Sequence, residues 1–360
     1  MPGSIWVSGR RFNRSGRSPV EEKGYVTHSN LINTRLNVTH SSAAITVAVG
    51  LIVAGLCAWT YTTYDRDIEA ARARVVSGSR IVETACGPIE YATLGDGPPL
   101  LAVHGAGGGY DQGLGLVGAL PARGFRVIAM SRFGYLQTPL PDDDASAAAQ
   151  ADAHACLLDA LGIPRAAVLG ASAGAPSSVQ FALRHPDRVT ALVLLVPALY
   201  VPRGEDAPPL RTPSGTEFLF DTALKSDFVF WAALKVARRM MLKAVLATPP
   251  ERVAEAGAAE QARVAEILAH ILPVSPRRLG LLNDAAVTSR LERYPLERIT
   301  TPTLIVSAED DLFGTYDVAR YTAEQIPGTR FVGYEKGGHI LVGHHDEVMA
   351  EVEAILRELQ

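Results

Sequence analysis

The residues with the clearest chemical potential are Gly170-Ala171-Ser172-Ala173-Gly174, a G-x-S-x-G stretch in which one hydroxyl stands among glycines and alanines. A serine oxygen is a weak nucleophile unless a base takes its proton and an acid orients that base. Downstream, "TLIVSAEDDLF" offers three neighbouring carboxylates, Glu309, Asp310 and Asp311, and "RFVGYEKGGHILVGHH" offers His339 after two glycines. The order serine, carboxylate, histidine suits a serine held at a strand-to-helix turn. In that chemistry His339 takes the serine proton and later returns it to the leaving group, while the carboxylate holds the imidazole tautomer. His344 and His345 are expected to begin the last helix and His104 to belong to a turn, which leaves His339 as the base.

Developing negative charge on a carbonyl oxygen needs backbone donors aimed at it. One is expected from Ala173, directly after the serine. The other is expected from Ala106, in "LLAVHGAGGGYD", where a run of glycines lets the backbone approach a substrate. The same loop has no G-K-[ST] and no G-x-G-x-x-G, so a phosphate-cradling role is set aside.

These groups must be placed by strand ends. Apolar runs at 100–103, 125–130, 166–169, 189–196, 303–306 and 330–333 alternate with helical stretches at 145–161, 173–185, 316–325 and 346–358. That alternation predicts an α/β fold with a mostly parallel central sheet and helices on both faces. Residues 80–93 are expected to add two antiparallel strands at the edge. The interval 201–299 breaks the pattern: it is helix-rich, with aromatics at Phe218, Phe220, Phe228, Phe230 and Trp231, and reads as an inserted helical cap. Arg277 and Arg278 are read there as a solvated helix face, with binding of an acidic substrate as the alternative.

Before the alternating region, residues 43–64 carry no charge and are apolar over a length that crosses a bilayer, with Trp59, Tyr61 and Tyr64 at one end as interfacial aromatics. They are expected to form a transmembrane anchor, preceded by a disordered tail at 1–42 and followed by a linker at 65–79 that is helical around Arg66–Ser77, with the catalytic domain at 80–360. Basic residues lie near both ends of the span; the short N-terminal tail inclines the catalytic domain to the outside of the cytoplasm. The formal net charge of −4 gives no reason to expect nucleic acid as a partner. The three cysteines, Cys57, Cys86 and Cys156, show no metal-ligand spacing and are read as small buried hydrophobes rather than a disulfide framework. No cofactor and no metal is expected.

From Arg80 onward the chain resembles the α/β-hydrolase superfamily, in its branch with a serine nucleophile and an inserted cap. The stretches that carry the resemblance are "GDGPPLLAVHGAGGG", "SRFGYLQTP", "VLGASAGA", "HPDRVTALVLLVPA", "PTLIVSAEDDLF" and "GGH". Family spacing, counted three residues on from the strand-end position held here by Ser307, points to Asp310 as the acid. Ser131 and Leu136 depart from the usual pattern of their loop, a change expected to alter the pocket wall. Ser172 stands where epoxide hydrolases and haloalkane dehalogenases of the family have aspartate, which implies ester-like chemistry on a small molecule; the aromatic residues of the cap point to an apolar acyl group. HGAGGG is similar to the loop of carbon–carbon bond hydrolases, but those usually carry Trp after the histidine, where this chain has Ile340. They remain the alternative enzyme class. A non-catalytic binding module on the same fold is the third reading.

Overall fold

The computed structural model describes residues 28–202 and 222–358; Phe218 and Phe220 lie outside them. In chain order the helices are α1 (His28–Ser77), α2 (Tyr110–Leu116), α3 (Ala147–Ala160), α4 (Ala175–Arg184), α5 (Asp227–Val236), α6 (Arg238–Ala244), α7 (Pro250–Glu255), α8 (Ala258–Ala269), α9 (Arg278–Thr288), α10 (Thr315–Gln325) and α11 (His345–Arg357). The strands are β1 (Arg80–Thr84), β2 (Gly87–Leu94), β3 (Pro99–Val103), β4 (Arg126–Met130), β5 (Ala166–Ala171), β6 (Val189–Leu195), β7 (Thr303–Ala308) and β8 (Arg330–Tyr334). They form one sheet in the order β1-β2-β4-β3-β5-β6-β7-β8. Pairs β1/β2 and β2/β4 are antiparallel and all others parallel.

The central strands are near-continuous apolar runs because both sheet faces are covered. Alternation along each strand sorts them: Leu101, Val103, Val168 and Ile305 pack with α3, α4 and α10, while Leu100, Ala102, Leu169 and Val306 pack with α2 and α11. Local signals set helix starts, as where Ser146 caps α3 by accepting the Ala149 N–H at 3.2 Å. Helices α5 to α9 lie between β6 and β7, where the cap is expected, and enclose a third apolar core around Phe230, Trp231, Met241 and Leu268.

Helix α1 bears on two sequence expectations. It begins at His28, so residues 28–42 are helical rather than disordered. It also continues without a break through 65–77, where a linker helix is expected. Up to Thr62 it forms a unit of its own, with apolar side chains exposed along Ile45–Leu56. From Thr63 it belongs to the second unit, with the sheet: Ile68 is buried in the cap core, Tyr64 sets its ring edge against Phe228 and Trp231, and Asp67 accepts the Trp231 Nε1–H at 3.0 Å. Burying one isoleucine contributes about 2 kcal/mol.

Another expectation fails at the cysteines. Cys86, in the turn between β1 and β2, is disulfide-bonded to Cys156 on α3, with Cα atoms 6.0 Å apart and a sequence separation of 70. Only the packing of α3 behind the β1/β2 edge brings them together, so spacing carried no signal. Cys57 is exposed and free.

Candidate active site

Strand β5 runs directly into a 3-10 turn, Ser172–Gly174, and then into α4. Ser172 sits in that turn at φ +50°, a left-handed conformation that costs a non-glycine residue energy. Its flanking glycines are required by contact. A Cβ on Gly174 would lie 2.5 Å from the His104 carbonyl oxygen and 2.7 Å from that of Val103, and one on Gly170 would lie 2.4 Å from Ser178 Oγ. The small residues therefore let β3 and α4 close around the serine and hold it at the sheet's C-terminal edge.

Ser172 Oγ lies 2.9 Å from His339 Nε2, and His339 Nδ1 lies 2.7 Å from Asp311 Oδ2. The carboxylate fixes Nδ1 as the donor, which leaves Nε2 to accept from the serine. Asp311 is buried and further held by the Phe313 N–H at 2.9 Å and by the Thr315 hydroxyl. The ring of Phe313 stands edge-on to the imidazole, 5.0 Å between centroids.

Asp310, the acid expected from family spacing, is not the histidine's partner. Its carboxylate accepts the Gly338 N–H at 2.7 Å and pairs with Arg252 of the cap at 3.1 Å. Beyond β7 the chain turns, closed by the Asp311 N–H to Ala308 carbonyl bond, and this turn brings Asp311 back beneath the strand end while Asp310 points toward the cap. Glu309 is exposed. Among the other histidines, His344 stacks on Tyr334 at 3.9 Å and His104 is wholly buried. Burial, aided by the nearby Arg132 charge, lowers the His104 pKa well below the usual range. It is a neutral structural imidazole, accepting the Arg132 N–H at 3.0 Å on Nε2 and bonding the Gly105 carbonyl at 2.7 Å through Nδ1.

The glycine-rich loop after β3 is held by groups from several elements. The Gly105 N–H is given to Gln112 Oε1 at 2.8 Å and the Gly107 N–H to the Tyr135 hydroxyl at 3.2 Å. Ala106 lies between them with no acceptor for its N–H among the described hydrogen bonds, and it lines the same cavity as Ser172 and His339. Ala173 is buried next to Ser172 at the N-terminal end of the 3-10 turn. Tyr135 in turn donates to Asp284, which receives Arg132 in a two-pronged bond of 2.6 and 2.7 Å. Burial, with the Asp284 charge beside it, raises the Tyr135 pKa, so the phenol keeps its proton.

The loop at 131–138 therefore braces the site rather than altering the pocket wall; none of its residues lines the cavity among those described. Arg277 also departs from expectation. It is fully buried, bonded to Asp111 at 2.7 and 3.0 Å and to the Gly108 carbonyl, and is neither a solvated face nor free for a substrate. Arg278 is exposed. The bracing by Asp111, Asp284 and Arg277 had no local signature in the sequence, since the Arg277–Asp111, Arg277–Gly108, Arg132–Asp284 and Tyr135–Asp284 bonds all join segments more than a hundred residues apart.

The cavity above Ser172 has a volume of about 330 Å³ and apolar walls from Leu246, Ile267, Ile271, Phe313, Ile340 and Met349. Arg263 reaches its lining but is paired with Glu260 at 2.6 Å and bonded to the Ile340 carbonyl at 3.0 Å. Among the described residues no group of three His, Cys, Asp or Glu side chains is arranged to hold a metal.

With this geometry in view, the comparisons with known proteins are direct. Residues 98–346 match the family model described as the alpha/beta hydrolase fold, and the chain belongs to that family. It is similar to a solved alpha/beta hydrolase fold protein from Nakamurella multipartita, with 33% identity, a TM-score of 0.65, and coverage of 78% of this chain and 99% of that one. An esterase from Exiguobacterium antarcticum shares the fold at 21% identity and a TM-score of 0.59, over 78% of this chain and 99% of its own. Among curated relatives, a 2-hydroxy-6-oxo-6-phenylhexa-2,4-dienoate hydrolase from Comamonas testosteroni is 31% identical over 113 residues, 30% of this chain and 40% of its own length. An uncharacterized hydrolase, YcgS, from Bacillus subtilis is 35% identical over 113 residues, 30% of this chain and 37% of its own. The matched stretch thus spans well under half of these curated relatives.

Proposed function

We propose that the chain is a serine hydrolase that cleaves an ester-like bond, a carboxylester, lactone or thioester, through an acyl-enzyme on Ser172. The observation that carries this reading is the continuous hydrogen-bonded chain Ser172–His339–Asp311 at the floor of an apolar cavity. His339 Nε2 takes the serine proton as Oγ attacks the carbonyl carbon, and the tetrahedral oxyanion is received by the N–H groups of Ala106 and Ala173. Collapse expels the leaving group with the proton from His339. Water then enters by the same route, His339 again acting as base, and the carboxylic acid departs. Asp311 stabilises the imidazolium in both halves.

The carbon–carbon hydrolase reading draws on the Comamonas testosteroni relative, whose name specifies a dienoate, a carboxylate-bearing molecule. Such a substrate calls for a free cation. Arg263, the one permanent cation in the described cavity lining, is already neutralised by Glu260. That favours a neutral substrate with an apolar acyl group. The intact hydrogen-bonded chain likewise favours an enzyme over a binding module.

The exposed apolar stretch of α1 is long and apolar enough to cross a membrane and supports a single-pass anchor. The Cys86–Cys156 disulfide supports a catalytic domain on the oxidising, non-cytoplasmic side.

The test is fluorophosphonate labelling and hydrolysis of p-nitrophenyl esters of increasing acyl length by the full chain in detergent, beside Ser172→Ala and His339→Ala, with a 2-hydroxy-6-oxo-dienoate as competitor substrate. The expected result is labelling and ester turnover that both variants lose. A folded wild-type chain that is not labelled rejects the acyl-enzyme, and faster cleavage of the dienoate rejects the ester preference.

A further inference from the structure

We propose that Arg74, in the last turn of α1, is a positioning residue for the loop that receives the oxyanion. The inference rests on the serine hydrolase reading above.

The glycine run 107–109 has no side chains with which to pack, and glycine loses more conformational freedom on ordering than any other residue. The loop's position is therefore set by the groups that clamp it. On one side the clamp is the Tyr135 hydroxyl on the Gly107 N–H. On the other it is Arg277, which donates to the Gly108 carbonyl. Arg277 is in turn fixed by Asp111, in the first turn of α2, just beyond the loop.

Arg74 completes this second clamp from the far side. Its guanidinium bonds Asp111 Oδ2, the oxygen that also receives Arg277, and reaches the His270 carbonyl at 3.0 Å and the Leu272 carbonyl at 2.6 Å. Arg277 shares the His270 carbonyl at 3.1 Å. A single carboxylate thus sits between two guanidinium groups, and the cap segment that follows α8 is bound to both. The Tyr110 hydroxyl adds bonds of 3.1 Å to the carbonyls of Arg74 and Val75, tying α2 to the end of α1. Burial alone would raise the Asp111 pKa, but the hydrogen bonds and charges of Arg277 and Arg74 bring it to about 2, so the carboxylate stays ionised.

Arg74 does not line the cavity over Ser172. Its removal leaves Asp111 paired with Arg277, so no buried charge is orphaned. What changes is the restraint on Asp111, and through Arg277 on Gly108, two residues from the Ala106 donor. The consequence is a loss in kcat with little change in KM, because the apolar side chains that wall the cavity, such as Leu246, Ile267, Phe313 and Met349, make no bond to Arg74, whose contacts with the lining are to the Asp111 carboxylate and the His270 backbone. The end of the apolar helix is then part of the catalytic apparatus as well as its tether.

The experiment compares the full chain in detergent with Arg74→Ala, Arg74→Lys and, as a control, Glu69→Ala at an exposed position of the same helix. Rates are normalised to the fraction of Ser172 titrated by fluorophosphonate, which counts folded sites only. Expected are a kcat about tenfold lower for Arg74→Ala, below the effect of deleting an oxyanion donor outright, an unchanged KM, partial recovery with lysine, and no effect of Glu69→Ala. If the alanine variant does not fold, a lowered kcat in Arg74→Lys decides the matter. Unchanged kcat per titrated site in both Arg74 variants, even with a lower melting temperature, overturns the proposal while leaving the serine hydrolase reading intact. Failure of the unsubstituted chain to label removes that reading and this inference with it.

Discussion

Two strand ends build the site, and they are specified in different ways. At the end of β5 the turn is dictated by contacts that admit only glycine: at Gly174 a methyl group would meet two backbone carbonyls. At the end of β7 residue type does not discriminate, because Glu309, Asp310 and Asp311 are adjacent and all acidic. Asp311 is selected by the Thr315 hydroxyl, the Phe313 N–H and His339 itself, while Asp310 is drawn away by Arg252 and Gly338. At β5 the candidate serine is the one hydroxyl among small residues adjacent to it, so it can be named from the chain even though Val103 and His104 enforce the glycine from afar; at β7 three like residues stand side by side, and only the folded turn and His339 choose between them.

The comparison is most sharply tested at the acid turn. Asp311→Asn is expected to lower kcat by about 10³ to 10⁴, since an amide cannot stabilise the imidazolium or hold its tautomer. Asp310→Asn keeps an acceptor for the Gly338 N–H and loses only a part-exposed ion pair, so kcat is expected to fall less than about tenfold. Steady-state ester hydrolysis of the two variants, side by side, gives the order; the reverse order would return the role to Asp310.

At the elbow the effect is on folding. Gly174→Ala forces β3 and the turn apart and is expected to destabilise the domain by about 1–3 kcal/mol, the usual range for overpacking a tight site. Urea unfolding measures it, and an unchanged midpoint would show that the close approach is not what demands glycine. By contrast Glu309, exposed at the other strand end, is expected to accept alanine without a shift.

The smallest expected effect concerns the support beneath the elbow helix. His154 of α3 is buried and lies 3.1 Å from Ser177 Oγ on α4. Burial, with repulsion from Arg132, lowers its pKa to about 3. The unfolded chain therefore takes up a proton near pH 6.5 that the folded chain refuses until about pH 3. Stability falls as pH drops through that window, by at most about 1.4 kcal/mol per pH unit for this histidine, and is unaffected above it. His154→Gln keeps a hydrogen-bonding group without the titration. Unfolding measured at pH 7 and pH 5 is expected to show a smaller loss in the variant, and an equal loss in both would place the acid sensitivity elsewhere, for instance at the buried neutral His104.

The sheet and its order of elements were legible because each strand and helix carries its own hydrophobic period, a property of neighbouring residues. Ser172, His339 and the glycine-rich loop were legible for a related reason: each sits at the end of such an element and is marked by glycine. The apolar helix announced itself by length and composition. Tertiary structure alone decided that Asp311 and not Asp310 faces His339, and that Cys86 meets Cys156. It also decided that Arg277 is an internal brace, and that the helix at 65–77 packs against the cap through Asp67 and Ile68. Each of these depends on which distant segment arrives at a given point, and a one-dimensional pattern holds no record of partners that only folding brings within a hydrogen bond's length.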